Sequence, residues 1–423
     1  MIFRLTAIVC LILVPSLSSG VETRWGGHLR GQGNLSMYDD NHIIALSGKN
    51  SEYADWGADF RLTGLAAFTA PVTVEVHYEA GISGGDTRGA LTRLSPVAPG
   101  ASRFLVPAPT DETRFFNLTH VEGEEGAWVY YHRIDRMAAS WEGDRATVRL
   151  GRQALSWGNG LVFNPADLLN PFAPTDVIRD YKVGTDMVLF QTFGGWMTDL
   201  QVVYVPRRDR ETGDVETDQS SLAAKVRLEA LTAEWEFLAI RHYDETVIGA
   251  GGSGYLGGAA WRADALYTFL RKEADQSGYL TAVANLDYSW VLGKKNWYGL
   301  VEFYYNGLGE KKPMDALENP SLVERITRGE LFSTGELYVA GQVRFEYHPL
   351  VNLYLSIIDN LSDGSILFQP RVTWDALQSL QILVGADIPL GSDNTEYGGI
   401  TDPVTRRTTA PPYRLYGVVI WYF

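Results

Sequence analysis

Arg149 and Arg152 stand three positions apart in ATVRLGRQALS, and charged side chains follow them at Asp167, Asp176, Arg179, Asp180 and Lys182. Cations facing carboxylates across a gap can do two things. They can pair and fix the backbone, or they can leave a transverse field that orients a polar or anionic solute. Neither role needs a nucleophile, and the sequence offers little material for one. The seven histidines (His28, His42, His77, His120, His132, His242, His348) show no H-x-x-x-H spacing. Glu234 and Glu236 share a strand face, but a glycosidase needs two carboxylates about 5–10 Å apart across its substrate, an arrangement that sequence does not show and that charged inward faces supply by chance. No catalytic residue, metal ligand set or cofactor is assigned.

The elements that must position these charges are two strands, Ala146–Ser156 and Tyr181–Gln191, and the link between them. That link holds Pro165, Pro171 and Pro174, with Asn-Pro steps at Asn164-Pro165 and Asn170-Pro171. It also holds Leu161, Val162, Phe163, Leu168, Leu169 and Phe172. Such a segment is too apolar for solvent and too kinked for a strand. Residues 164–182 are therefore expected to fold inward as a constriction loop. Strict alternation points Arg149 inward and Val148 and Leu150 outward. It leaves Arg152 on the outward face, so either a bulge at Gly151 turns it inward, the reading preferred here, or Arg152 sits at a rim.

Met1–Gly20 reads as a secretory signal, with Arg4 before the short apolar run Leu5–Val14 and a small-residue cleavage stretch Ser16–Gly20. The single cysteine, Cys10, lies inside it, which leaves residues 21–423 without disulfides, thiolate metal sites or thioether-bound haem. The formal charge is −15, opposite to that of a nucleic-acid binder. After the signal no apolar run reaches the roughly 18 residues of a spanning helix. Membrane residence would have to come from strands closed into a barrel.

The alternation of side chains supports that. Val72, Val74, Val76 and Tyr78 oppose Thr73, Glu75, His77 and Glu79. Trp297, Val301, Phe303 and Tyr305 oppose Glu302, Tyr304 and Asn306, and Leu337, Val339, Val343 and Phe345 oppose Tyr338, Gln342, Arg344 and Glu346. Brief turns such as Glu142–Arg145, Gly293–Lys295 and His348–Val351 alternate with long polar links such as Asp39–Tyr53, Gly81–Glu125, Arg207–Gln219, Gly307–Glu330 and Gly391–Pro411. Short turns at one end and long loops at the other mark an outer-membrane barrel, with acidic loops in reach of lipopolysaccharide. The expected fold is all-β: a transmembrane antiparallel barrel of about 18 strands, or 16 if the glycine-rich stretch Gly249–Gly258 hides fewer. Its tryptophans suit aromatic girdles. The terminal strand Pro412–Phe423 places Gly417, Val419, Trp421 and Phe423 on one face. An ending of this kind resembles the signal read by the barrel insertion machinery.

Arg149-Leu150-Gly151-Arg152-Gln153, then Ser156-Trp157-Gly158 and Asn164-Pro165-Ala166-Asp167, resembles the strand-plus-inner-loop signature of bacterial outer-membrane porin-like barrels, closest to the alginate-export type and related uncharacterised porin-like families. The resemblance implies an outer-membrane channel. For alginate it implies a strongly arginine-rich lumen. Here Arg133, Arg149, Lys225, Arg227 and Arg344 share the inward faces with Glu75, Glu79, Glu229, Glu234, Glu236, Glu302, Glu336 and Glu346. The expected function is a porin-like channel for small hydrophilic solutes, as a homo-oligomer or with a periplasmic partner. Two alternatives stand beside it. One is a barrel sheathing a multihaem cytochrome, and the other is a β-rich outer-membrane enzyme, for which His132 near the rim is the candidate.

Overall fold

The computed structural model describes residues 21–48, 51–68, 71–94, 108–172, 181–195, 197–271, 276–401 and 405–423. The leader read at 1–20 lies outside them. The described strands are β1 (Val21–Met37), β2 (Glu52–Phe68), β3 (Val72–Gly85), β4 (Thr119–Glu125), β5 (Trp128–Glu142), β6 (Ala146–Gln153) and β7 (Thr185–Gly194). The chain continues through β8 (Met197–Val205), β9 (Ser221–Ala230), β10 (Ala233–His242), β11 (Glu245–Leu256), β12 (Ala259–Phe269) and β13 (Gly278–Leu292). It ends with β14 (Lys295–Asn306), β15 (Leu337–His348), β16 (Val351–Asn360), β17 (Ser365–Leu377), β18 (Leu380–Leu390) and β19 (Tyr413–Tyr422). All named pairings are antiparallel neighbours, β3 pairs directly with β5, and β1 pairs with β19. The result is a closed 18-stranded barrel. The extra strand, β4, pairs only with the long-loop end of β5, where β6 has already stopped.

Closure removes the unpaired edge that Pro412–Phe423 would otherwise present. Phe423 exchanges backbone hydrogen bonds with Gly27 at 3.0 and 3.1 Å and stacks on Phe60. Val419, Trp421 and Phe423 point outward, while Tyr416, Val418 and Ile420 are buried inside. The same alternation runs round the wall. Val343, Leu353, Val372 and Val384 are exposed outside, and Tyr338, Glu302 and Asn306 are fully buried inside. Trp25, Trp141, Trp374 and Trp421 ring the short-turn end, with Trp290 stacked on Trp297 beside the turn at Gly293. The glycine-rich stretch proves to be a regular hairpin, β11–β12, turning at Gly257.

Several boundaries differ from the sequence expectation. β3 runs on to Gly85 and leads into helix α1 (Asp86–Leu94). Asp55 accepts hydrogen bonds from the Thr87 amide and hydroxyl at 3.0 and 2.6 Å and anchors that helix start. The long link after β14 holds α2 (Pro313–Glu318) and α3 (Pro320–Arg328). Asn319 caps α3 by accepting from Leu322 N at 3.2 Å, proline opens it, and Gly329 (φ 71°) ends it. Helix signals within a link otherwise read as polar went unused. β7 begins at Thr185 instead of Tyr181, because Tyr181 and Lys182 turn inward to other partners.

Candidate inner loop and channel wall

The link after β6 runs against inward-facing side chains of the opposite wall. Trp157 is 2% exposed. It donates from Nε1 to Gln201 at 2.7 Å and lies under Lys225. Gly158 adopts φ 89°, and a Cβ there would stand 2.2 Å from Asn164 Oδ1, so the turn requires glycine. Asn159 donates to Asp264 from its backbone N and its Nδ2, both at 2.6 Å, and to Glu236 at 3.0 Å. The amides of Leu161, Val162 and Phe163 then donate to the carboxylate of Glu302 at 2.7, 3.0 and 2.6 Å. Phe163 stacks on Tyr304 with ring centroids 4.6 Å apart. A proline-broken segment has backbone donors that no strand ladder can use, and a buried carboxylate satisfies three of them at once.

Both Asn-Pro steps hold the return leg. Asn164 Nδ2 donates to Trp157 O at 2.8 Å, and Asn170 Nδ2 donates to Val183 O at 2.9 Å. Lys182 pairs with Asp167 and donates to Leu155 O. Burial pushes the Asp167 carboxyl up to about 6, against the pull of Lys182. Tyr181 lies at the other wall, where it donates to Glu79 at 3.1 Å and sits 3.6 Å beneath Arg61.

That second wall, β1 to β6, is a belt of ion pairs. His28 and Arg30 meet Asp59, Arg61 meets Asp135 at 2.6 Å, Arg133 meets Glu79 at 2.9 Å, and Arg136 and Arg149 meet Glu75. Next to it, Arg414 and Gln369 both donate to Asp387. Toward the long-loop end of this wall lies a cavity of about 640 Å³, lined by Arg30, Gln32, Asp59, Gln369, Asp387 and Arg414 among others from β1–β3, β5 and β17–β19.

The expected site residues fall into three groups. Arg149 faces inward, but its partner is Glu75 on β3 and not a loop carboxylate. Asp167 and Lys182 face each other. Arg152 is fully buried against Asp186 at 2.8 Å and Asp111 at 3.0 Å. The ladders on both sides of Gly151 keep their register, although Gly151 takes φ 116°. No register shift turns Arg152 inward. It stays in line with Met137 and Val76, on the face away from the lumen. There it is covered by the segment carrying Asp111 and Phe116, whose carbonyl accepts from Arg152 at 2.6 Å. Burial under a polar loop solves the problem of an outward arginine, whose cost in lipid is about 2–4 kcal/mol. Asp176, Arg179 and Asp180 lie outside the described residues. Glu302, Asp264 and Asn159 were missed as loop anchors; alternation on the inward face hinted at Glu302 and Asp264, and nothing local at Asn159 in the link.

Gly81-Ile82-Ser83-Gly84-Gly85 spells G-x-S-x-G and runs from strand into helix, a pattern associated with nucleophile elbows. Among the described residues no hydrogen bond joins Ser83 to a histidine, and its strand partners are Gly57 and Val129. The geometry there offers no nucleophile–base pair.

No protein-family model and no curated protein matches the sequence. Solved structures do match the fold along nearly the whole chain. OccAB1 of Acinetobacter baumannii is 10% identical with a TM-score of 0.53, covering 94% of this chain and 96% of that one. A BenF-like porin from Pseudomonas fluorescens Pf-5 is 9% identical with a TM-score of 0.53, covering 95% and 98%. OccK5 (OpdH) of Pseudomonas aeruginosa is 10% identical with a TM-score of 0.51, covering 94% and 98%. The fold is that of an outer-membrane porin. The likeness is one of architecture, and it carries no preference for the alginate-export type.

Proposed function

We propose that the chain is an outer-membrane porin that passes small hydrophilic solutes, with a lean toward anions. It is exported by its leader 1–20 and inserted through the terminal strand bearing Gly417, Val419, Trp421 and Phe423. One observation carries the reading: the inner loop is tied to the β8–β15 side through Glu302 and Asp264, and a cavity opens on the other side, against β1–β3, β5 and β17–β19. Solutes pass along that side, and the loop narrows their path. Arg149 and Arg30 on the wall set the field, with Asp167 and Lys182 on the loop. Asp176, Arg179 and Asp180 join them on the strength of the sequence. Arg152 is left to a structural role.

A pairwise-compensated wall suits polar solutes better than a polyanion, since Arg30, Arg61, Arg133 and Arg149 each face a carboxylate. A loop lodged on the inner wall also takes the space that a sheathed partner protein would need. Planar-bilayer recording across a salt gradient tests the proposal. Steady openings with a weakly anion-selective reversal potential are expected, as is larger conductance once residues 158–171 are deleted. Unchanged conductance in the deletion would remove the loop from the pathway, and folded protein that never opens would remove the channel.

A further inference from the structure

We infer that the barrel carries a zinc-class divalent cation site on its outward face, built from His120, Glu122 and His132. The site is independent of the channel. His120 and His132 are direct cross-strand partners on β4 and β5, with ring centroids 5.4 Å apart. The β4–β5 register shifts between Val121 and Gly123, so Glu122 is the extra residue of a bulge. That bulge brings its Oε1 to 3.2 Å from His132 Nε2 and 3.8 Å from His120 Nε2. The three ligand atoms all lie within 4.8 Å of one another, the one group of this kind among the described residues.

Geometry and donor chemistry agree on the ion. Zinc bonds to imidazole nitrogen and carboxylate oxygen at about 2.0–2.2 Å, which sets tetrahedral donor separations near 3.4 Å. The Glu122–His132 separation already fits, and small side-chain rotations close the rest. Two imidazoles exclude the all-oxygen preference of calcium and magnesium. The side chains of His120 and Glu122 are about half exposed, 47% and 56%, which leaves the fourth position to water.

The position allows cations in. His132 aligns with Ala80 and Phe60 on the outward face. It stands nine residues along β5 from Trp141 of the short-turn girdle, roughly 23 Å up a strand tilted by about 40°. The apolar band of such barrels is about 25 Å tall, so the site sits at its outer edge. A bound ion would clamp β4 to β5. It would also hold down the segment before β4, from which Asp111 and Phe116 cover Arg152.

The test is isothermal titration of the full-length, detergent-folded and chelator-treated protein with ZnCl2, followed by Co2+ as a spectroscopic probe. One equivalent should bind in the micromolar range, and Co2+ should give the intense visible bands of a tetrahedral site. Binding should weaken about tenfold or more in His132→Ala and in His120→Ala, and less in Glu122→Gln. CaCl2 and MgCl2 should give no saturable heat, and His348→Ala should bind as the parent does. Absence of saturable Zn2+ binding below millimolar would overturn the site. So would binding that survives in the His120→Ala/His132→Ala double variant, or that disappears in His348→Ala.

Discussion

On the β8–β15 wall, Glu302 and Asp264 accept from backbone and amide N–H groups of a loop that crosses from another part of the barrel. On the β1–β6 wall, Glu79 and Asp59 accept from guanidiniums on the adjacent strand, and Glu75 and Asp135 from guanidiniums two strands away. Both walls began as alternating strands with charged inward faces. The first uses its carboxylates to hold a crossing segment of chain, and the second neutralises them between strands, with Arg30 and Asp59 at the cavity. Inward charge therefore has two separate uses in one barrel, and only its partners tell them apart.

Removing the anchor should disturb the closed wall most. Glu302→Ala leaves three N–H donors without their acceptor, and the buried one on Phe163 alone costs about 1–3 kcal/mol. The loop should undock, and single-channel conductance should rise well above the parent value. Conductance equal to the parent's would mean that the loop is held elsewhere.

Arg152→Ala sharpens the contrast from outside the lumen. It leaves Asp186 without a cation in a fully buried site, while Asp111 keeps Arg114 at 2.7 Å, and breaking such a buried pair costs about 3–5 kcal/mol. The denaturation midpoint should fall while ion selectivity stays put. A changed reversal potential would place Arg152 back in the pathway. Arg149→Glu should do the reverse. Its pair with Glu75 is partly exposed, so the stability loss should be about 1 kcal/mol or less, while the reversal potential moves toward cations.

The smallest effect concerns pH. The Asp167 carboxyl, pushed up to about 6 by burial, gains its proton as pH falls through that value and leaves Lys182 uncompensated. Anion preference should therefore increase between about pH 7 and 5. Because the folded value is raised, this carboxyl favours the folded state on the acid side and loses that contribution as pH rises through about 6. Asp167→Asn should remove the step in selectivity, and a step that persists in Asp167→Asn would assign it to another group.

Much of this barrel was legible in advance. Alternation in stretches such as Val72–Glu79 and Trp297–Asn306 depends on nearest neighbours only, so the outward and inward faces could be read directly. The apolar, proline-broken link reads as a segment that packs onto a wall, and in its described part Trp157, Phe163 and Leu169 are buried. Its partners were not legible, because pairing between Asn159 and Asp264 spans 105 positions and no local rule reaches that far. Arg152 shows the opposite failure. Alternation placed it correctly on the outward face, and the expectation of a bulge overrode that because the covering segment with Asp111, 41 residues away, could not be foreseen. The helices after β14 were missed for another reason: Asn319, Pro320 and Gly329 are proper start and stop signals inside a link read for polarity alone.

The central claim is that solutes pass along the β1–β6 side and not through the loop-covered side. Single cysteines introduced into residues 21–423, which hold none of their own, and treated with a charged thiol reagent during bilayer recording, address it most directly. Gln32→Cys, on the cavity wall, should lose current stepwise on treatment. Val283→Cys, 2% exposed and packed in the cluster with Phe163 beneath the loop, should carry its current unchanged. Block at Val283 with none at Gln32 would contradict the account.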